Sequence, residues 1–166
     1  MIVISDTTPI ITLLKLNHLD LLRDLYGTVY IPQSVYDELT LNQKFPVESD
    51  IIQKSLYLEV FDLISDAEID SFRHQTGLDC GESEAILLAE KVNAELLLID
   101  ESHGRSVALS KGLRITGVIG VLMSAYKMQM ITDSEVRQCI KIMKKSNRFI
   151  SEKVYAHLLN LLDEKD

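Results

Sequence analysis

The chain has 166 residues, 46% of them hydrophobic and 25% charged, a balance that excludes a disordered or low-complexity chain and leads to the expectation of one core burying roughly 70% of the unfolded surface. A net charge of -8 argues against a protein that coats duplex nucleic acid, which needs a basic surface to neutralise phosphates. The opening MIVISDTTP carries no basic leader region, no segment has the roughly 20 apolar residues that cross a bilayer, and the two cysteines, Cys80 and Cys139, form no CxxC pair, so a cytoplasmic chain with core thiols is expected and no membrane partner.

Residues 2–5 are a short apolar, β-branched run, and Thr7, Thr8 and Pro9 offer a helix start ahead of Ile10, Ile11, Leu13, Leu14 and Leu16. Residues 18–26 repeat apolar positions at helical spacing up to Gly27, 29–31 form a second strand ended by Pro32, and a helix runs on through Val35, Tyr36 and Leu39. Residues 46–54 read as a loop and short helix, 56–61 as a strand, and 66–75 and 81–93 as helices, the second leading into the leucine-rich strand 95–99. A helix at 102–111 closed by Gly112, a strand at 114–116, and helices at 118–128, 133–145 and 151–162 complete the chain. No repeat or linker marks a boundary, so a single domain over 1–166 is expected, with the C-terminal helices at about 132–163 packed on it.

Strands alternating with helices imply a mostly parallel sheet covered on both faces, and right-handed crossovers then bring all strand C-termini to one edge, where ligands bind. Asp6 follows the first strand, and Asp100 with Glu101 follow the LLLI strand, so three acids distant in sequence share that edge. Asp6 and Asp100 each have an alternative explanation as a helix cap. Glu38 in VYDEL lies near the start of its helix, roughly 9 Å beyond Pro32 at 1.5 Å per residue. The GESEAILLA segment carries Glu82 and Glu84, where the helix dipole alone favours acids. On a wheel of 100° per residue Glu82 borders the stripe of Gly81, Ala85, Leu88, Ala89 and Val92 while Glu84 lies farther round, so Glu82 is expected to be the buried one.

Several carboxylates in one cleft repel unless a cation neutralises them, and Mg²⁺ or Mn²⁺ is the hard, oxygen-seeking ion that does so while keeping waters. Such a site activates water and steadies the charge of a phosphodiester under attack. The chain has no GxxxxGK[ST], GxGxxG, GxSxG or HExxH, which removes the phosphate-cradling, dinucleotide, serine-hydrolase and zincin signatures. Thr8 stands where an aspartyl phosphotransferase would need a second Asp.

Taken in order, VISDTTPII, VYDEL, GESEAILLA, and LLLIDE with Arg105 and the following GLRITGVIGVL resemble the PIN-domain family, small metal-dependent nucleases that include VapC-like toxins. RFISEKVY resembles the tail of an uncharacterised PIN-like subgroup. The resemblance implies an α/β fold of three layers, α/β/α, with a short central, mostly parallel sheet. It also implies an endoribonuclease cleaving single-stranded RNA with Mg²⁺ or Mn²⁺ held by Asp6, Glu38, Glu82 in the GESE segment, and Asp100 or Glu101. Successive strand residues point to opposite faces, so only one of the last two can serve.

By the same resemblance Thr7 or Thr8 supports a metal ligand through its hydroxyl, and a helix cap is the competing role. Arg105 faces a substrate phosphate, with Lys111, Arg114 and the group Lys144, Lys145 and Arg148 as further contacts, although for that last group a solvated helix face is the expected role. A toxin of this type implies a small antitoxin protein as partner and a homodimer. The alternative is a catalytically impaired PIN-like module that binds RNA or a partner protein.

Overall fold

Val3–Ser5 (β1) is an unbroken apolar and β-branched run buried along its whole length, the pattern of a central strand in a parallel sheet. The protein is described from a computed structural model, in which residues 1–41, 46–146 and 151–164 are described. Arg148 and the first residues of RFISEKVY lie outside them.

After β1 the order is α1 (Thr7–Lys15), α2 (Leu21–Tyr26), β2 (Val29–Pro32), α3 (Gln33–Thr40), α4 (Pro46–Lys54), β3 (Leu58–Phe61), α5 (Asp66–Thr76), α6 (Cys80–Lys91), β4 (Leu96–Leu98), α7 (Ser102–Ser110), β5 (Ile115–Thr116), α8 (Val118–Lys127), α9 (Asp133–Lys145) and α10 (Glu152–Asp163). The chain divides into two compact units, Met1–Val118 and Ile119–Asp166.

In the first unit the strands lie in the order β3-β2-β1-β4-β5 and every pairing is parallel, so the sheet is all-parallel where a mostly parallel one was expected. Helices flank it, as the α/β reading requires. Ile4 stands opposite both Tyr30 and Leu97, and Tyr30 stacks on Phe61 with ring centroids 4.1 Å apart. The Asp6 N–H donates to the Leu98 carbonyl at 3.0 Å. The ladder therefore extends one residue past β1 and anchors the backbone that carries Asp6.

The α6 helix is the central packing element. It touches α3, α5 and α7 as well as β1, β2 and β4, and Gly81 through Ile86 are all buried, as are Leu88 and Ala89. Its stop and start signals are local. Gly77 closes α5 in the left-handed conformation (φ 77°), and the Asp79 side chain caps α6 by accepting the Glu82 N–H at 2.8 Å. The helix expected at 18–26 begins at Leu21, after Asn17 has turned the chain out of α1 at φ 60°, a conformation asparagine tolerates. The segment 46–54 is helical throughout.

In the second unit Val136, Cys139, Ile140 and Met143 form the buried face of α9 at helical spacing. Arg137 donates to Asp133 and to Asp163 of α10, and Lys144 lies 4.0 Å over the Tyr155 ring. Both cysteines are free, and burial pushes the Cys139 thiol up to about 11. Among the described residues no helix is long and apolar enough to cross a membrane.

Candidate functional site

The strand order reverses at β1, which has β2 on one side and β4 on the other. In an open parallel sheet the crevice beyond the strand C-termini at such a point is where ligands bind. Asp6 leaves β1 into that crevice, and Asp100 and Glu101 leave β4 beside it.

Asp6 occupies the cap position of α1 yet makes no side-chain cap bond, although it is only 4% exposed. The capping explanation for a buried carboxylate here therefore does not hold. A Cβ at Gly81 would stand 3.2 Å from Glu38 Oε2 and 3.5 Å from Asp6 Oδ1, so the glycine gap at the start of α6 admits both carboxylates. Glu38 is exposed and accepts a 2.8 Å hydrogen bond from Thr7 Oγ1. That bond ties the first turn after Asp6 to α3. Thr8 makes no side-chain hydrogen bond to the described residues.

Glu82 is buried at 5% exposure, and its carboxyl carbon lies 3.7 Å from where a Cβ on Gly104 would be. It meets the carboxyl of Glu101, which sits exposed at the start of α7 with no cap bond of its own. Burial is the main reason the Asp6 carboxyl is pushed up to about 7, with repulsion from Asp79, Glu38 and Glu101 adding to it. Burial likewise lifts Glu82 well above the usual carboxylate range, helped by its hydrogen bond with Glu101 and by the charges of Asp79 and Asp6. Asp6, Glu38, Glu82 and Glu101 thus form one electrostatically linked group.

Asp100 belongs elsewhere. Its Oδ1 accepts the Val118 N–H at 3.1 Å, its carboxylate lies against the Gly117 backbone, and its Oδ2 is buried with no hydrogen-bond partner among the described residues. Burial raises its pKa while the Val118 N–H and Arg105 lower it. Of the two acids after β4, then, Glu101 joins the group and Asp100 does not, because the chain alternates faces there. Arg105 goes with Asp100: its guanidinium donates to the Ile99 carbonyl at 2.8 Å, so the structure does not leave it poised at the acids for a phosphate.

Glu84, expected to be farther from the core, is 2% exposed. It accepts the backbone N–H of Ser34 at 3.0 Å and the Ser34 hydroxyl, capping the start of α3. Asp79 is the acid that sequence reasoning does not single out, although its charge repels both Asp6 and Glu82 more than that of any other acid. The spacing DCGE, an acid three residues before Glu82, is a cap signal that would have drawn attention to it.

The donor set is all oxygen, two acids buried and two exposed, which suits a hard divalent cation. Among the described residues no three or more acids, histidines or cysteines stand close enough together to hold a metal ion as they are. A protein-family model described as a PIN domain matches residues 2–164. No protein of curated function matches the chain.

Proposed function

The chain belongs to the PIN-domain family, a family of nuclease type, and we propose that it is an Mg²⁺- or Mn²⁺-dependent endoribonuclease acting on single-stranded RNA. The observation that carries this reading is the group of Asp6, Glu38, Glu82 and Glu101 at the switch point of the sheet, with Asp6 and Glu82 held buried and strained toward protonation. Carboxylates in that state gain most from a cation that replaces their protons.

Asp6, Glu38, Glu82 and Glu101 would hold the ion. Bound there, it would supply a water of lowered pKa and neutralise charge on the phosphodiester. The protein's own contribution is positional. Thr7 orients Glu38, Asp79 fixes the first turn of α6 from which Glu82 projects, and Gly81 leaves space for Asp6 and Glu38. The assay is cleavage of a panel of single-stranded RNAs: activity is expected with Mn²⁺, none with chelator, and none in Asp6→Asn. Full activity in Asp6→Asn would overturn the mechanism.

A toxin role, with a small antitoxin as partner and a homodimer as the working unit, is the biological setting we propose. A monomer at micromolar concentration in light scattering would count against the dimer. The second reading, a PIN-like module that binds RNA or a partner protein without cutting, is favoured by the net charge of -8 and by the absence, among the described residues, of three or more metal-ligating side chains already placed to hold an ion. Thermal stabilisation by millimolar Mn²⁺ supports the nuclease, since a ligand of the folded state raises stability by mass action. No shift supports the module.

A further inference from the structure

At the end of α5 lies a cavity of about 570 Å³ lined by Asp70, Arg73, His74, Gly77 and Leu78, within the size range of ligand sites. Its lining leads directly to the acids. Gly77 and Leu78 precede Asp79, and two residues of chain span at most about 7 Å. From the other side His103, two residues beyond Glu101, sets its Nε2 2.7 Å from the Thr76 carbonyl. The cavity and the acid group therefore share one rim of the sheet edge.

The charges around it are informative. In the first unit Arg23, Lys54 and Lys111 are paired with acids, and Arg105 and Lys91 donate to backbone carbonyls. The Arg73 guanidinium has no hydrogen bond or ion pair with the described residues, and Asp70, one turn earlier, does not pair with it. A cation in the last turn of a helix complements the helix dipole, which explains why Arg73 and His74 stand there. It does not explain five unused donors over an open cavity. A polyanion approaching a carboxylate site on a chain of net charge -8 needs a nearby cation to offset repulsion and set its register.

We propose that this cavity seats a backbone phosphate of single-stranded RNA adjacent to the one at the acids, with Arg73 forking onto its oxygens and His74 beside it. The proposal names a substrate contact for the ribonuclease reading and rests on it, but its test does not require cleavage. Binding of a fluorescein-labelled single-stranded RNA to the full chain is followed by anisotropy in chelator across a salt series. Arg73→Ala should weaken binding about tenfold and flatten the dependence of log affinity on log salt by about 0.7, the share of one phosphate contact on a single strand. Arg23→Ala, which removes an equal charge from an arginine of α2 already paired with Asp24, should stay within twofold of the parent. With Mn²⁺ present, Arg73→Ala should raise KM and leave kcat unchanged. Equal binding by parent and Arg73→Ala, equal losses in the two alanine variants, or no RNA binding by the parent would each overturn the subsite. Arg73-dependent binding without cleavage would uphold it and count against the nuclease reading alone.

Discussion

Thr7 Oγ1 donates to Glu38 Oε2 at 2.8 Å, joining the residue after the first acid to the second acid across 31 positions of sequence. Glu38 is exposed, so without this bond its long side chain is free to sample other rotamers. Thr7→Val keeps the shape and removes the donor. The expected result is Mn²⁺ affinity lower by about tenfold, in line with the loss of a hydrogen bond to a metal ligand. Stability should fall by only about 1 kcal/mol. Calorimetric titration and denaturant unfolding read the two effects separately.

Glu84 and Ser34 hold α6 and α3 together one turn from the acids. Ser34 and Glu38 are four residues apart and share a face of α3, so this clamp helps set where Glu38 stands. Removing the carboxylate leaves a half-buried helix-start N–H and hydroxyl of Ser34 without their acceptor, and Glu84→Ala should cost about 1–3 kcal/mol in urea unfolding. Glu84→Gln keeps one acceptor oxygen and should recover at least half of that loss. Equal stability of the alanine variant and the parent would remove the clamp from the account.

These two contacts show where sequence reading succeeds and where it stops. Asp6 and the acids after the LLLI strand were legible because alternating elements dictate a common edge. Glu84 was misjudged because a helical wheel assumes one buried face, whereas α6 is enclosed by helices and strands on nearly every side. The choice between Asp100 and Glu101 was open for a different reason. Alternation says that they diverge but not which face holds the site, and that depends on Gly117 and Val118 receiving Asp100. Thr7 was one of two equal hydroxyls until α3 was in place.

The acid group also makes metal-free stability depend on pH. The Asp6 carboxyl is raised from 3.8 to about 7, so between those values the folded chain holds a proton that the unfolded chain has released. Stability contributed by that proton is complete below about 4 and is lost as pH rises through about 7. Glu82 acts in the same direction. In chelator the melting temperature of the parent should fall between pH 5 and 7.5 relative to Asp6→Asn, which cannot titrate there. Saturating Mn²⁺ should abolish the fall, because the ion takes over from the proton. A difference between parent and variant that is flat with pH in chelator would contradict the burial of a protonatable Asp6.

The two neighbours after β4 should separate by function. Glu101→Gln removes a charge from the group that contains Asp6 and Glu82. It should reduce Mn²⁺-dependent RNA cleavage by at least a hundredfold while changing the melting temperature little, since Glu101 is exposed and caps nothing. Asp100→Asn keeps an oxygen for the Val118 N–H and should retain Mn²⁺ affinity within about threefold, being outside the acid group. Gly117→Ala tests the same pocket from the other side. A Cβ there overlaps the Asp100 carboxylate and comes within 3.2 Å of Arg105, so it should destabilise the fold by about 1–3 kcal/mol through forced repacking. If Asp100→Asn abolished metal binding and Glu101→Gln did not, the fourth acid would be Asp100, and the carboxylate now facing Glu82 would be the bystander.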